Sequence, residues 1–160
     1  MLAPNTIAVP LITFQYSAED WFNRAISTVT TSFESGISPR VESLVYSKLD
    51  ATAWQRFRNF SQWPDGWAGE GSLSLSAVSL ANFERFLESS RFATARSKPS
   101  LFMTDDGLLE IGWESSDNTA IHVTFTTKGA SFYIEATGEE GNISTDGIGN
   151  LAERLTSLCR

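Results

Sequence analysis

Hydrophobic and polar positions alternate most regularly in the final third of the chain. Leu109, Ile111 and Trp113 alternate with Glu110, Gly112 and Glu114, and Ile121, Val123 and Phe125 with His122, Thr124 and Thr126. Phe132 and Ile134 then alternate with Tyr133 and Glu135. Three successive period-two runs, each with one apolar side, predict an antiparallel meander from about Leu108 to Thr137 that packs on one face. Asp105-Asp106-Gly107 turns the chain into the first run, and Leu101 to Met103 offers a preceding fourth strand. Lys128-Gly129 reads as a two-residue hairpin loop. That loop sets Phe125 opposite Phe132 and Val123 opposite Ile134. On the other face it sets His122 opposite Glu135 and Thr124 opposite Tyr133, and a one-residue slip would destroy the match on both faces.

Upstream the apolar period lengthens to that of helices. Thr6 to Gln15 is apolar and β-branched, but Pro10 restricts it to an edge strand or extended arm. Ser17 caps a segment with Trp21, Phe22, Ala25, Ile26 and Val29 on one helical face, ended by Ser35-Gly36. Ser38-Pro39 starts a second helix with Val41, Leu44, Val45 and Leu49 as its stripe, since proline suits the first helical position. Asp50 caps a third, Ala51 to Phe60, which aligns Trp54, Phe57 and Phe60 and leaves Arg56 and Arg58 outward. Ser76 caps a fourth, in which Leu80, Phe83, Phe86 and Leu87 form the buried face. Arg91 to Ser100 reads as a polar link, and a last helix carries Leu151, Leu155 and Leu158.

The predicted fold class is α+β: a three- to four-stranded antiparallel meander with several helices packed on one face. The expected organisation is one domain over 1–160: a helical N-terminal region over 1–60, a Trp/Gly loop 61–76, a helix 77–92, the sheet 100–137 and a C-terminal helix 148–158. A length of 160 residues and a hydrophobic share of 41% suit one domain with a sizeable core. The net charge of −7 comes from scattered acids. It argues against direct nucleic-acid binding, which needs a basic footprint. No apolar run approaches the ~20 residues that span a bilayer. Met1 to Pro10 lacks the basic and apolar regions of a signal peptide. With Cys159 the one cysteine, these features make the cytoplasm the expected location.

Catalytic chemistry finds little to work with. His122 is the single histidine, placed mid-strand on an open sheet face, and no G-x-S-x-G elbow supplies a nucleophile. His122 with Glu135, and Glu110 or Glu114 on the next strand, could offer metal ligands on one face. Glutamates around a histidine on a solvated sheet more often form a charge-complementary surface, so no metal, cofactor or catalytic residue is assigned. Gly66, Gly69 and Gly71 lack the preceding buried strand and the following Lys-Ser or Lys-Thr of a phosphate loop. The stretch Trp63-Pro64-Asp65-Gly66-Trp67 is a loop by composition. Its two rings either fold back onto the core, which glycine's close approach favours, or face a partner.

From Trp67 to Trp113 the chain resembles a group of small, uncharacterised bacterial and phage proteins. Trp67, Gly69 and Gly71 fit a W-x-G-x-G loop, Ser76 the helix cap, and Ala81, Phe86 and Leu87 the helix. Pro99 and Asp106-Gly107 through Trp113 fit a strand ending in Trp. The resemblance implies a passenger of phage or mobile elements, antitoxin-like or anti-defence-like, and it brings no catalytic residue.

The leading expectation is therefore a non-enzymatic, acidic protein-binding module, an inhibitor or neutralising partner of another protein. Its surface would use Glu110, His122, Thr124, Tyr133 and Glu135 on the open sheet face, or Trp63 and Trp67 in the loop. The alternative is a small-ligand-binding or enzymatic domain with a pocket between helices and sheet. Self-association, as in a homodimer, is the third reading.

Overall fold

The computed structural model describes residues 37–95 and 98–159. The N-terminal arm from Thr6 and the helix capped by Ser17 lie outside the described residues. Helix α1 (Pro39–Lys48) begins where expected, with the Ser38 side chain accepting from the Arg40 N–H. Helix α2 (Ala51–Phe60) is capped by Asp50, which accepts from the Ala53 N–H at 2.6 Å. Helix α3 (Ala77–Ser89) is capped by Ser76. Each cap satisfies an N–H that helix geometry leaves without an internal partner. Helix α4 (Ile148–Thr156) closes the described chain.

Among the described residues five strands, not three or four, form one antiparallel sheet in sequential order. They are β1 (Ser100–Met103), β2 (Leu109–Glu114), β3 (Ala120–Thr126), β4 (Gly129–Ile134) and β5 (Glu139–Ser144). The expected alternation holds: Leu109, Ile111, Trp113, Ile121, Val123, Phe125, Phe132 and Ile134 are all buried. β5 lies beyond residue 137, where the sheet was expected to end. Its one large apolar residue, Ile143, gives no alternating signal, and the strand owes its form to pairing with β4.

The hairpin register also differs. His122 pairs with Tyr133, Val123 with Phe132 and Phe125 with Ala130, so the two-residue loop is Thr127-Lys128. This is a shift of two residues from the sequence reading, and a shift of two keeps every side chain on its own face. The hydrophobic pattern therefore cannot distinguish the registers. Tertiary contacts can. Gly129 sits at φ +144°, where its missing side chain lets the Ile143 carbonyl of β5 approach; any Cβ there would run into that oxygen. The buried Asn82 amide of α3 donates to the carbonyls of Thr126 (2.8 Å) and Gly129 (3.3 Å), tying the hairpin end to the helix.

The core lies between the helices and one face of the sheet. The Phe83 and Phe125 rings meet edge-on at 5.3 Å, as do Phe86 and Phe125, and Phe92 meets Trp113 at 5.0 Å. Such pairs add to the area they bury. Phe92 is fully buried in a 3-10 turn (Phe92–Thr94), so the helix expected over 77–92 stops at Ser89 and its polar link carries a core residue. Ser79 on α3 accepts from the Leu109 N–H at 2.9 Å and holds the start of β2. At the other end Leu158 lies beyond α4 and is exposed, unlike Leu151 and Leu155. No described helix is long and apolar enough to cross a membrane.

Candidate functional site

All the packing above involves one face of the sheet. The opposite face receives the even-numbered side chains of β1, β2, β3 and β5 and the odd-numbered ones of β4, in ladder-matched rows. One row runs Gly112, His122, Tyr133, Glu140; the next runs Phe102, Glu110, Thr124, Ser131, Asn142. Strand pairing alone thus assembles the group, because opposed residues on one face stand within about 5.5 Å at Cα.

Glu110 is its hub. Its Oε1 lies 3.5 Å from His122 Nδ1, and its Oε2 accepts from Thr124 Oγ1 at 3.2 Å. The imidazole leans over Gly112, where a Cβ would stand only 3.1 Å from the ring. The absence of a side chain at Gly112 is what lets His122 reach back toward Glu110. Two exposed aromatics flank this polar centre. Tyr133 is 42% exposed on β4, and Phe102 is 45% exposed on β1 with the Arg56 guanidinium 5.5 Å from its ring centre. Three strand spacings separate them, about 14 Å. Beyond His122 a shallow, open depression of about 460 Å³ spreads over β3 to β5, bordered by Thr124, Ser131, Tyr133, Glu140 and Asn142.

The expected site residues divide. Glu110, His122, Thr124 and Tyr133 stand together. Glu135 is not opposite His122, because the register places it across from Ala120, one pair beyond the strand end. There its backbone N–H donates to the Ala120 carbonyl and its Oε2 accepts from the Ala120 N–H at 2.8 Å. The charge partner of His122 is Glu110. Trp63 and Trp67 lie apart from the sheet group. Their rings stack at 4.2 Å, Trp63 packs on Phe60 at 5.0 Å, and Trp67 Nε1 donates to the Leu73 carbonyl at 3.0 Å. The loop is pinned beside the β1–β2 turn by Leu73 N–H to Asp105 and Ser76 N–H to Gly107. Asp65 accepts from the Ser74 N–H at 2.7 Å, and that bond holds its carboxyl below the usual range.

Phe102, Ser131, Glu140 and Asn142 belong to the same face and escaped the sequence reading. Phe102 had a signal, since it sits between buried Leu101 and Met103 and must point the other way. Glu140 and Asn142 had none until β5 was placed. Among the described residues no group of three or more His, Cys, Asp or Glu side chains is arranged to hold a metal ion. Cys159 is half-buried, and burial pushes its thiol from 9.0 up to about 11, with the Trp113 indole beside it pulling weakly the other way. Such a thiol is a poor nucleophile at neutral pH. No known protein family matches the chain, and neither curated proteins nor solved structures yield a significant match.

Proposed function

We propose that the chain is a protein-binding module whose outer sheet face docks another protein, in the manner of an inhibitor or neutralising partner. One observation carries the reading: two exposed aromatics bracket a polar centre in which Thr124 hydrogen-bonds to Glu110 and His122 stands 3.5 Å from the same carboxylate. Exposed aromatics anchor interfaces because they bury large area at little entropic cost, and an ordered polar centre adds directional contacts without further ordering. The resemblance to small phage and bacterial proteins is in keeping with a partner-neutralising role, antitoxin-like or anti-defence-like. The acidic charge favours a partner with a basic surface.

The test is affinity capture from the host, followed by titration of the recovered partner against variants. Phe102→Ala and Tyr133→Ala are each expected to weaken binding about tenfold, roughly 1.4 kcal/mol, with the melting temperature unchanged. If both variants hold the partner as tightly as the parent chain, the face is not the interface. A second reading has its own observation, the depression beside His122 with its hydroxyl, amide and carboxylate rim. A small polar ligand there would raise the melting temperature in a metabolite screen, and His122→Ala would abolish the shift.

A further inference from the structure

The two edges of the sheet are not equivalent. At β1, helix α2 lies alongside, and Arg56 donates through Nη1 to the Leu101 carbonyl at 3.3 Å. That carbonyl points away from β2, so one of the outward groups of this edge already has a partner. At β5, by contrast, β4 is the sole strand neighbour among the described residues. The direction of its backbone groups follows from the register. Thr126 and Gly129 close a two-residue hairpin and form a hydrogen-bonded pair, and such pairs alternate along an antiparallel ladder. Carried across β4, the alternation gives Ala130–Ile143, Phe132–Gly141 and Ile134–Glu139 the bonds to β5. The N–H and C=O groups of Glu140 and Asn142 are left facing outward, away from β4. The same alternation sends the Leu101 carbonyl outward at β1, where Arg56 meets it.

The side chains of these two residues add a charge preference. Glu140 and Asn142 project onto the outer face and border the depression with Ser131 and Tyr133. Glu139 is engaged with Arg154 at 2.9 Å, whereas Glu140 makes no ion pair among the described residues. Pairing β5 with itself in a second copy, in the register centred on Glu140, would set the two Glu140 carboxylates opposite each other on the outer face. Like charges opposed on a sheet are destabilising. A basic strand would meet the reverse situation.

We infer that β5 is an acceptor edge for an extended, basic segment of a partner protein, which adds as a sixth strand beside Glu139–Ser144. The inference rests on the protein-binding reading and names its mode. The added strand bonds to the backbone of Glu140 and Asn142. Its outer-face side chains are Lys or Arg, opposite Glu140, and its inner-face side chains are small or apolar, beside the half-buried Ile143. Two outward residues set the paired length at about five residues, an ordinary strand.

The probe is a fluorescein-labelled peptide of about seven residues alternating Lys with Thr, compared with its Glu-for-Lys counterpart by fluorescence anisotropy. The Lys peptide is expected to bind at least tenfold tighter, and Glu140→Lys to reverse the preference. Asn142→Pro removes an outward N–H without touching the β4 ladder and is expected to cost a further tenfold. Amide exchange on the unsubstituted chain gives an independent readout, with Glu140 and Asn142 exchanging fast when free and slowly with the Lys peptide bound. Equal binding of the two peptides overturns the inference. Protection of both amides in the free monomer, which means the chain's own residues cover the edge, overturns it too, as does concentration-dependent protection with dimers in sedimentation. If the Lys peptide binds without protecting these amides and Tyr133→Ala releases it, strand addition fails while the protein-binding face survives.

Discussion

Asn82 is the most informative single position for the stability of the sheet. Its amide is 2% exposed and donates to the carbonyls of Thr126 and Gly129, the pair that closes the β3–β4 hairpin. Asn82→Ala removes both bonds, worth about 1 kcal/mol each. The vacated space adds about 1 kcal/mol more, giving a loss of about 3 kcal/mol. For a chain of this size that lowers the melting temperature by roughly 10 °C. Asn82→Asp keeps the volume but sets a carboxylate against two carbonyl oxygens, so at pH 7 it is expected to be worse than Asn82→Ala. Burial and the facing carbonyls raise that carboxyl's pKa in the folded state above its unfolded value near 4. The native state then holds the proton more strongly, so stability relative to the parent is best below pH ~4 and falls as pH rises through the raised value. Urea titrations followed by tryptophan fluorescence at several pH values measure all of this. A loss under about 0.5 kcal/mol for Asn82→Ala, or an Asn82→Asp penalty that ignores pH, would refute the role given to this amide.

Two further outcomes follow from the same packing. Gly129→Ala combines a left-handed φ with a collision at the Ile143 carbonyl. It is expected to cost more than about 3 kcal/mol and to speed amide exchange along β5 while α1 and α2 stay protected; an unchanged melting temperature would contradict it. The Cys159 thiol, raised to about 11, is expected to react with iodoacetamide at pH 8 at least about tenfold more slowly than in the urea-unfolded chain. Because its folded pKa lies above its ordinary 9.0, its contribution to stability is complete below pH 9 and is lost as pH rises toward 11. Equal reaction rates in the two states would show that the thiol is not shielded.

The helices were the most legible elements of the fold. Ser38, Asp50 and Ser76 each announce a helix start because a cap is an interaction between a side chain and an N–H within three residues. The faces of β2, β3 and β4 were legible for a similar reason, since alternation is a property of the strand alone. That reading already placed Glu110, His122, Thr124 and Tyr133 on the open side. What it missed was their pairing. The choice of Glu110 over Glu135 as the neighbour of His122 depends on register, and on the bare backbone of Gly112.

By itself, then, the sequence determined what short-range chemistry can determine: where helices α1 to α3 begin, which side of each central strand is buried, and that the chain belongs to the α+β class. The tertiary structure decided the rest. A two-residue shift of a hairpin conserves every face, so only the Asn82 amide and the approach of Ile143 to Gly129 could select the register. A strand with a single large apolar residue forms only because β4 has a ladder to offer it. That fifth strand completes the outer face with Glu140 and Asn142 and leaves the acidic edge on which a partner strand can be sought.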